Sequence, residues 1–295
     1  MKRMALVIAV IAVCLYVFSP AFAEPWTVSV DANITLTQNA YSDNWEGGES
    51  GMMSWTFFSN SLAEKQLTPK LHNRNTLKLQ FGQNHFQDED TKDWGKPEKS
   101  NDLIDLESVF RFSLGSFVDP YAAGRLETLF VDKSDGLKDR YLNPLKFTES
   151  AGVAKVLIKE EKRDLTMRFG FGLREYINRD RLDPSTGNRK TKTTNDGGIE
   201  LVSDFKTPLS QERIMLTSKL TVFKALYFSE SDKIKGEVYE DYWKAPDVNW
   251  EAIFTAGITK YLMVNLYFQL LYDKEIDRAG RLKQVLSLGL TYKLL

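Results

Sequence analysis

Apolar and polar residues alternate one for one along most of this chain. Between Thr27 and Thr37, the side chains of Val28, Val30, Ala32, Ile34 and Leu36 fall on one face of an extended backbone, and Asp31, Asn33 and Thr35 fall on the other. Leu165, Met167, Phe169, Phe171 and Leu173 likewise alternate with Thr166, Arg168, Gly170, Gly172 and Arg174, and Ile104, Leu106, Phe110 and Phe112 with Asp105, Glu107 and Arg111. A period of two marks strands rather than helices. Carried along the chain, it predicts twelve strands, over 27–37, 51–62, 70–86, 101–114, 120–133, 148–160, 164–178, 196–207, 211–228, 248–259, 261–273 and 282–294.

Alternation alone fits a soluble sandwich as well as a membrane barrel, because either buries one face of each strand. Length separates them: several of these strands run past the usual five or six residues of soluble strands, toward the roughly nine to eleven a tilted strand needs to cross a bilayer. The connections point the same way. Segments 39–50, 87–100, 134–147, 179–195 and 229–247 are long, and those between them, such as 161–163, 208–210 and 260–261, are short. Outer-membrane barrels carry tight periplasmic turns at one end and long extracellular loops at the other. The expected fold is therefore all-β, a single antiparallel transmembrane β-barrel of about 12 strands with long extracellular loops and short periplasmic turns.

The last strand is the sharpest case. Leu286, Leu288, Leu290, Tyr292 and Leu294 share one face, and an apolar strand ending a chain is an open edge unless another strand covers it. Pairing with 27–37 would close the ring, with Leu288 and Leu290 toward lipid. The spacing of Ser287, Gly289, Tyr292 and Leu294 also resembles the C-terminal signal that outer-membrane barrels present to the barrel-assembly machinery, although Leu295 stands where a terminal aromatic is usual. Gly289, Tyr292 and Leu294 are thus the expected assembly signal.

At the other end, Lys2 and Arg3 precede an apolar run from Met4 to Phe18, and Ala21-Phe22-Ala23 supplies small residues for cleavage. Residues 1–23 read as a cleaved signal peptide and 24–295 as one barrel domain. The run is shorter than the roughly twenty residues of a membrane-spanning helix. Cys14, the one cysteine, would leave with the leader, so disulfides are not expected to hold the mature fold. Losing Lys2 and Arg3 leaves 37 basic against 40 acidic residues, which gives no basic field for nucleic acid.

Charge on the polar faces is plentiful. Lys78, Asp105, Glu107, Arg111, Arg125, Glu127, Arg168 and Arg174, together with Lys155, Lys219, Glu200 and Glu251, are expected to face the lumen. A basic side chain toward lipid at mid-depth would cost about 2–4 kcal/mol. Inside, such charges either line a narrow channel for small polar solutes or pair into a plug. No residue stands out as catalytic or metal-binding, and no cofactor is expected. His72 and His85 lack the nearby serine of an outer-membrane lipid hydrolase, which together with a soluble periplasmic ligand-binding β protein is an alternative reading. Glu237, Glu240 and Asp241 lie among Tyr239, Tyr242 and Trp243, a mixture that suits sugar or cation binding and equally the aromatic girdle of a barrel.

One loop carries a family resemblance. Asn44-Trp45 followed by Gly47-Gly48-Glu49 resembles the opening motif of an uncharacterised bacterial family, domain of unknown function 3078. The preceding Gln38-Asn39 and Tyr41-Ser42, and the later segment from Tyr267 to Asp273, are similar too, so the resemblance is expected to run through nearly all of the mature chain. It implies an exported β-barrel-like protein and brings no activity or ligand. Expected partners are outer-membrane lipid, the assembly machinery and, for an open lumen, small polar solutes.

Overall fold

The structure, a computed structural model, describes residues 25–41, 50–183, 186–259 and 262–293, of which 289–293 by backbone alone. The signal-peptide residues, Asn44, Trp45, Gly47, Gly48 and Leu294 lie outside the described residues.

Long strands dominate: β1 (Thr27–Asn39), β2 (Met52–Thr68), β3 (Leu71–Phe86), β4 (Glu98–Phe112), β5 (Asp119–Thr128), β8 (Leu145–Lys159), β9 (Asp164–Leu182), β10 (Arg189–Leu209), β11 (Ile214–Phe228), β12 (Pro246–Gly257), β13 (Leu262–Tyr272) and β14 (Arg281–Lys293). A small hairpin, β6 (Val131–Asp132) and β7 (Arg140–Tyr141), stands apart. The long strands form a closed antiparallel barrel, each beside its neighbours in sequence, with β5 next to β8 and β1 closing on β14. The closing pair sets Asp31 opposite Lys293 and Thr35 opposite Gly289. The start of β1 and the end of β14 therefore sit at the end of the barrel that carries the short turns.

The interior is inverted relative to a soluble core. Asp105, Glu107, Arg168, Glu200 and Glu251 are buried, whereas Phe171 and Leu286 are each 69% exposed and Ile34, Leu36, Leu106, Phe169, Leu173 and Leu288 are exposed with them. Among the described residues nothing covers that outward apolar band, so the solvent it suits is hydrocarbon.

Three local features differ from the sequence reading. First, β9 and β10 run well beyond the apolar band and are joined through 183–188, so the expected loop 179–195 is largely an extended arm. Its polar residues Thr191–Asn195 hide the strand, since backbone pairing there needs no apolar alternation. Second, β5 is short, and the β6–β7 hairpin fills the notch this leaves in the wall. The Asp102 carboxylate accepts from the Phe130 and Val131 N–H groups at 2.7 and 3.0 Å, which anchors the hairpin to β4. On the far side Arg140 donates to Asp132 at 2.6 Å and to Asn178 at 2.8 Å, and the Arg179 N–H donates to Asn143 at 2.8 Å, which ties it to β9. Third, Lys155 faces outward and not into the lumen. It pairs across with Met167 on the apolar face, near the turn end, where its ammonium lies 3.0 Å from the Phe117 ring centroid. A long side chain at that depth reaches the interface, so an outward lysine is tolerated.

Candidate functional site: an ion-paired lumen

Inward side chains come from alternate residues of every strand, and their charges meet in three tiers. In the tier nearest the short turns, Glu107 on β4 accepts from Lys219 on β11 at 2.5 Å and from Arg168 on β9 at 2.7 Å. Arg168 also reaches Asp204 at 3.5 Å. In the middle tier, Lys78 on β3 donates to Glu251 on β12 at 2.7 Å and lies 4.0 Å from Asp105. Arg125 grips Asp105 through two bonds of 2.7 and 2.9 Å and touches Glu127 at 3.2 Å, which Lys146 holds from the other side at 3.2 Å. In the outer tier, Arg174 forks onto Asp196 at 2.7 and 2.6 Å, reaches Asp247 at 2.7 Å and stacks over Phe223 at 3.8 Å.

Two of these pairs cross the lumen. β3 and β12, like β4 and β11, stand on nearly opposite walls of the ring. Lys78–Glu251 and Lys219–Glu107 therefore join wall to wall, and a path along the barrel axis meets both. Removing one partner of such a buried pair would leave the other charge uncompensated, at about 3–5 kcal/mol. Above Glu107 a void of about 10 Å³ reaches Arg125 and Glu200, room for about one water. Below it, a vestibule of about 240 Å³ opens at the turn end between Arg74, Thr76, Lys206 and the turn 160–163. Of the remaining charged candidates, Arg111 lies 3.8 Å from Asp119 near that end.

At the loop end, Glu275 sits in the connection 273–280. Shelter from solvent, then the charges of Asp273, Asp247 and Asp196, push its carboxyl up to about 7. In the hairpin, hydrogen bonds from Ser134 and Asn143 and the Arg140 guanidinium outweigh the effect of burial and hold Asp132 below the usual carboxylate range.

His72 lies 3.9 Å from Glu64, and among the described residues neither it nor His85 hydrogen-bonds a serine. Among the described residues no group of three or more His, Cys, Asp or Glu side chains is placed to hold a metal ion. The aromatic loop packs against its neighbours: Trp243 lies 6.1 Å from Phe228 at the end of β11, and Tyr242 faces Lys274 of the connection 273–280 at 4.7 Å. The cross-lumen partners Lys219 and Glu251 carry the strongest geometry. Their alternation marks them as inward in the sequence, but only ring order tells which charges meet.

Residues 36–133 match the model of DUF3078, a protein family of unknown function. The DUF3078 match begins near the end of β1, takes in residues 44–48 and reaches the β6 strand of the hairpin, stopping short of Tyr267–Asp273. No curated protein matches this sequence. Among solved structures, the COG4313 outer membrane channel from Pseudomonas putida F1 is similar at a TM-score of 0.40 and 16% identity, covering 92% of this chain and 96% of that one. The translocator domain of the autotransporter NalP from Neisseria meningitidis is similar at 0.36 and 10%, covering 99% and 95%. Likenesses this distant leave the barrel to rest on the chain's own hydrogen-bonded closure.

Proposed function

We propose that this protein is an integral outer-membrane β-barrel whose lumen is shut by ion pairs, a structural barrel at rest rather than a standing pore for small polar solutes. The observation that carries this reading is the Glu107 clamp, which holds Lys219 of one wall and Arg168 of another at 2.5 and 2.7 Å. The outward apolar band supports lipid as the surrounding medium. In this reading the chain is exported by its leader and inserted by the barrel-assembly machinery through Gly289, Tyr292 and Leu294. The short turns then face the periplasm and the long loops the outside.

Planar-bilayer recording tests the closed state. The unaltered protein is expected to be silent, and Glu107→Gln, which turns the shared carboxylate into a neutral amide, is expected to give resolvable openings. Steady conductance by the unaltered protein would overturn the closed reading, and a silent Glu107→Gln barrel would show that the clamp is not what shuts it. Membrane insertion is tested separately by extraction with detergent and by a heat-induced shift in gel mobility. A freely soluble protein without that shift would sink the outer-membrane reading.

A further inference from the structure

The ring does not close evenly. β1 pairs with β2 along its whole length, from Thr27–Glu64 to Asn39–Met52, but with β14 only from Asp31–Lys293 to Thr35–Gly289. Continuing the second register would set Leu36 opposite Leu288, Thr37 opposite Ser287, Gln38 opposite Leu286 and Asn39 opposite Val285. Those pairs are not made, so the two strands part toward the loop end. The parting lies where Leu36, Leu286 and Leu288 face outward, 66, 69 and 56% exposed. Sheet edges have no water to satisfy them inside hydrocarbon, so an opening there favours an occupant with both polar and apolar parts.

Behind the opening, the lumen face of β14 carries two cations unlike those of the tiers. Arg281 and Lys283 pair in register with Leu271 and Gln269, on the inward side. Neither has a hydrogen bond or an ion pair among the described residues, and the buried Nε of Arg281 has no partner. Among the described residues, Lys283 faces the Tyr267 ring, 5.8 Å away, and the charge of Glu251 reaches it without forming an ion pair. Lys78, Arg125, Lys146, Arg168, Arg174 and Lys219 each hold a carboxylate. Positive charge held in no ion pair among the described residues thus lies beside an apolar slot, at one end of a strand stretch of roughly 17 Å from Lys283 to Leu288.

We propose that the parted half of the β1–β14 seam binds a single-chain amphiphile with an anionic head. The head sits on Arg281 and Lys283, and the hydrocarbon chain runs along β14 past Leu36, Leu286 and Leu288 into the surrounding lipid. The inference rests on the membrane reading above. A carboxylate and a phosphate head share the chemistry that two cations recognise.

Native mass spectrometry of the full barrel in a non-ionic detergent, with laurate and separately with dodecyl phosphate, tests it. The unaltered protein is expected to retain one amphiphile per barrel, and the variant carrying Arg281→Gln and Lys283→Gln at least tenfold less. Retention of laurate alone or of dodecyl phosphate alone supports the site and identifies the head. Retention of neither, or equal retention by the variant, overturns it. Oxidative cross-linking of the unliganded barrel gives an arm that needs no ligand. Ile34→Cys with Leu290→Cys lies in the paired stretch and is expected to bridge readily; Leu36→Cys with Leu288→Cys lies in the parted stretch and is expected not to. Equal bridging of the two pairs means a zipped seam and ends the proposal. The heat-induced mobility shift, run on every sample, separates these results from failure of the membrane reading, because only that failure removes the shift from the unaltered protein.

Discussion

The β8–β9–β10 wall and the β1–β14 seam are both antiparallel ladders of one barrel, yet they are built differently. β9 and β10 pair from Arg189–Leu182 down to Lys206–Asp164, and β8 approaches β9 so closely that Gly152 lies against the Phe169 carbonyl. The seam is held by a short run of pairs between the two ends of the chain. Strands adjacent in sequence meet at little loop-closure cost, whereas the terminal strands must wait for the rest of the ring. The wall is therefore the continuously paired part of the barrel and the seam its briefly paired part.

Three perturbations bear on that contrast, in falling order of effect. Removing residues from Leu286 onward takes away every residue that pairs with β1, and is expected to abolish membrane assembly and the heat-shifted gel band. A truncated chain that still inserts and shifts would mean the seam does not close the barrel. Gly152→Ala tests the wall: a Cβ there would lie 2.2 Å from the Phe169 carbonyl oxygen and 2.4 Å from Gly170 Cα. Such overpacking is expected to cost about 1–3 kcal/mol, read as a lowered unfolding midpoint in urea. An unchanged midpoint would show that β8 and β9 can separate without loss. The smallest effect lies beside the seam, at Glu275. Its folded carboxyl titrates near 7 against an ordinary 4.5, so the fold favours the protonated form. That stabilisation is complete below pH 4.5 and is lost as pH rises through about 7. Because Glu275 is only partly sheltered and keeps a solvent-facing surface in its loop, solvent screening reduces the gain to about 1 kcal/mol. The unaltered barrel is expected to unfold at higher urea at pH 5 than at pH 8, and Glu275→Gln to lessen the difference; the same pH dependence in the variant would assign it elsewhere.

The barrel is legible in the sequence where both faces are unmistakable, as in Leu165 to Arg174, where phenylalanine and leucine alternate with glycine and arginine. It blurs where the inward face is small rather than charged. On β8 the inward residues include Ser150, Gly152 and Ala154, so Lys155 reads as an interior cation although it points outward. The arm beyond Arg174 and the β6–β7 hairpin are hidden for a different reason. They are held by backbone ladders and by Asp102, Arg140 and Asn143, and such pairings between distant segments leave no periodic trace. The lumen charges are legible as a set. Which acid meets which base follows from ring order, so the clamp on Glu107 is a property of the closed barrel alone.

The hairpin that fills the notch beside β5 also fixes what the loop end displays. Asn143 is only 1% exposed, while Leu137 and Tyr141 of the same segment are 78 and 67% exposed. A segment anchored at its root and bare at its tip offers a visitor a contour already in shape, with little chain entropy left to lose on contact. Whatever meets this rim meets relief rather than a tether.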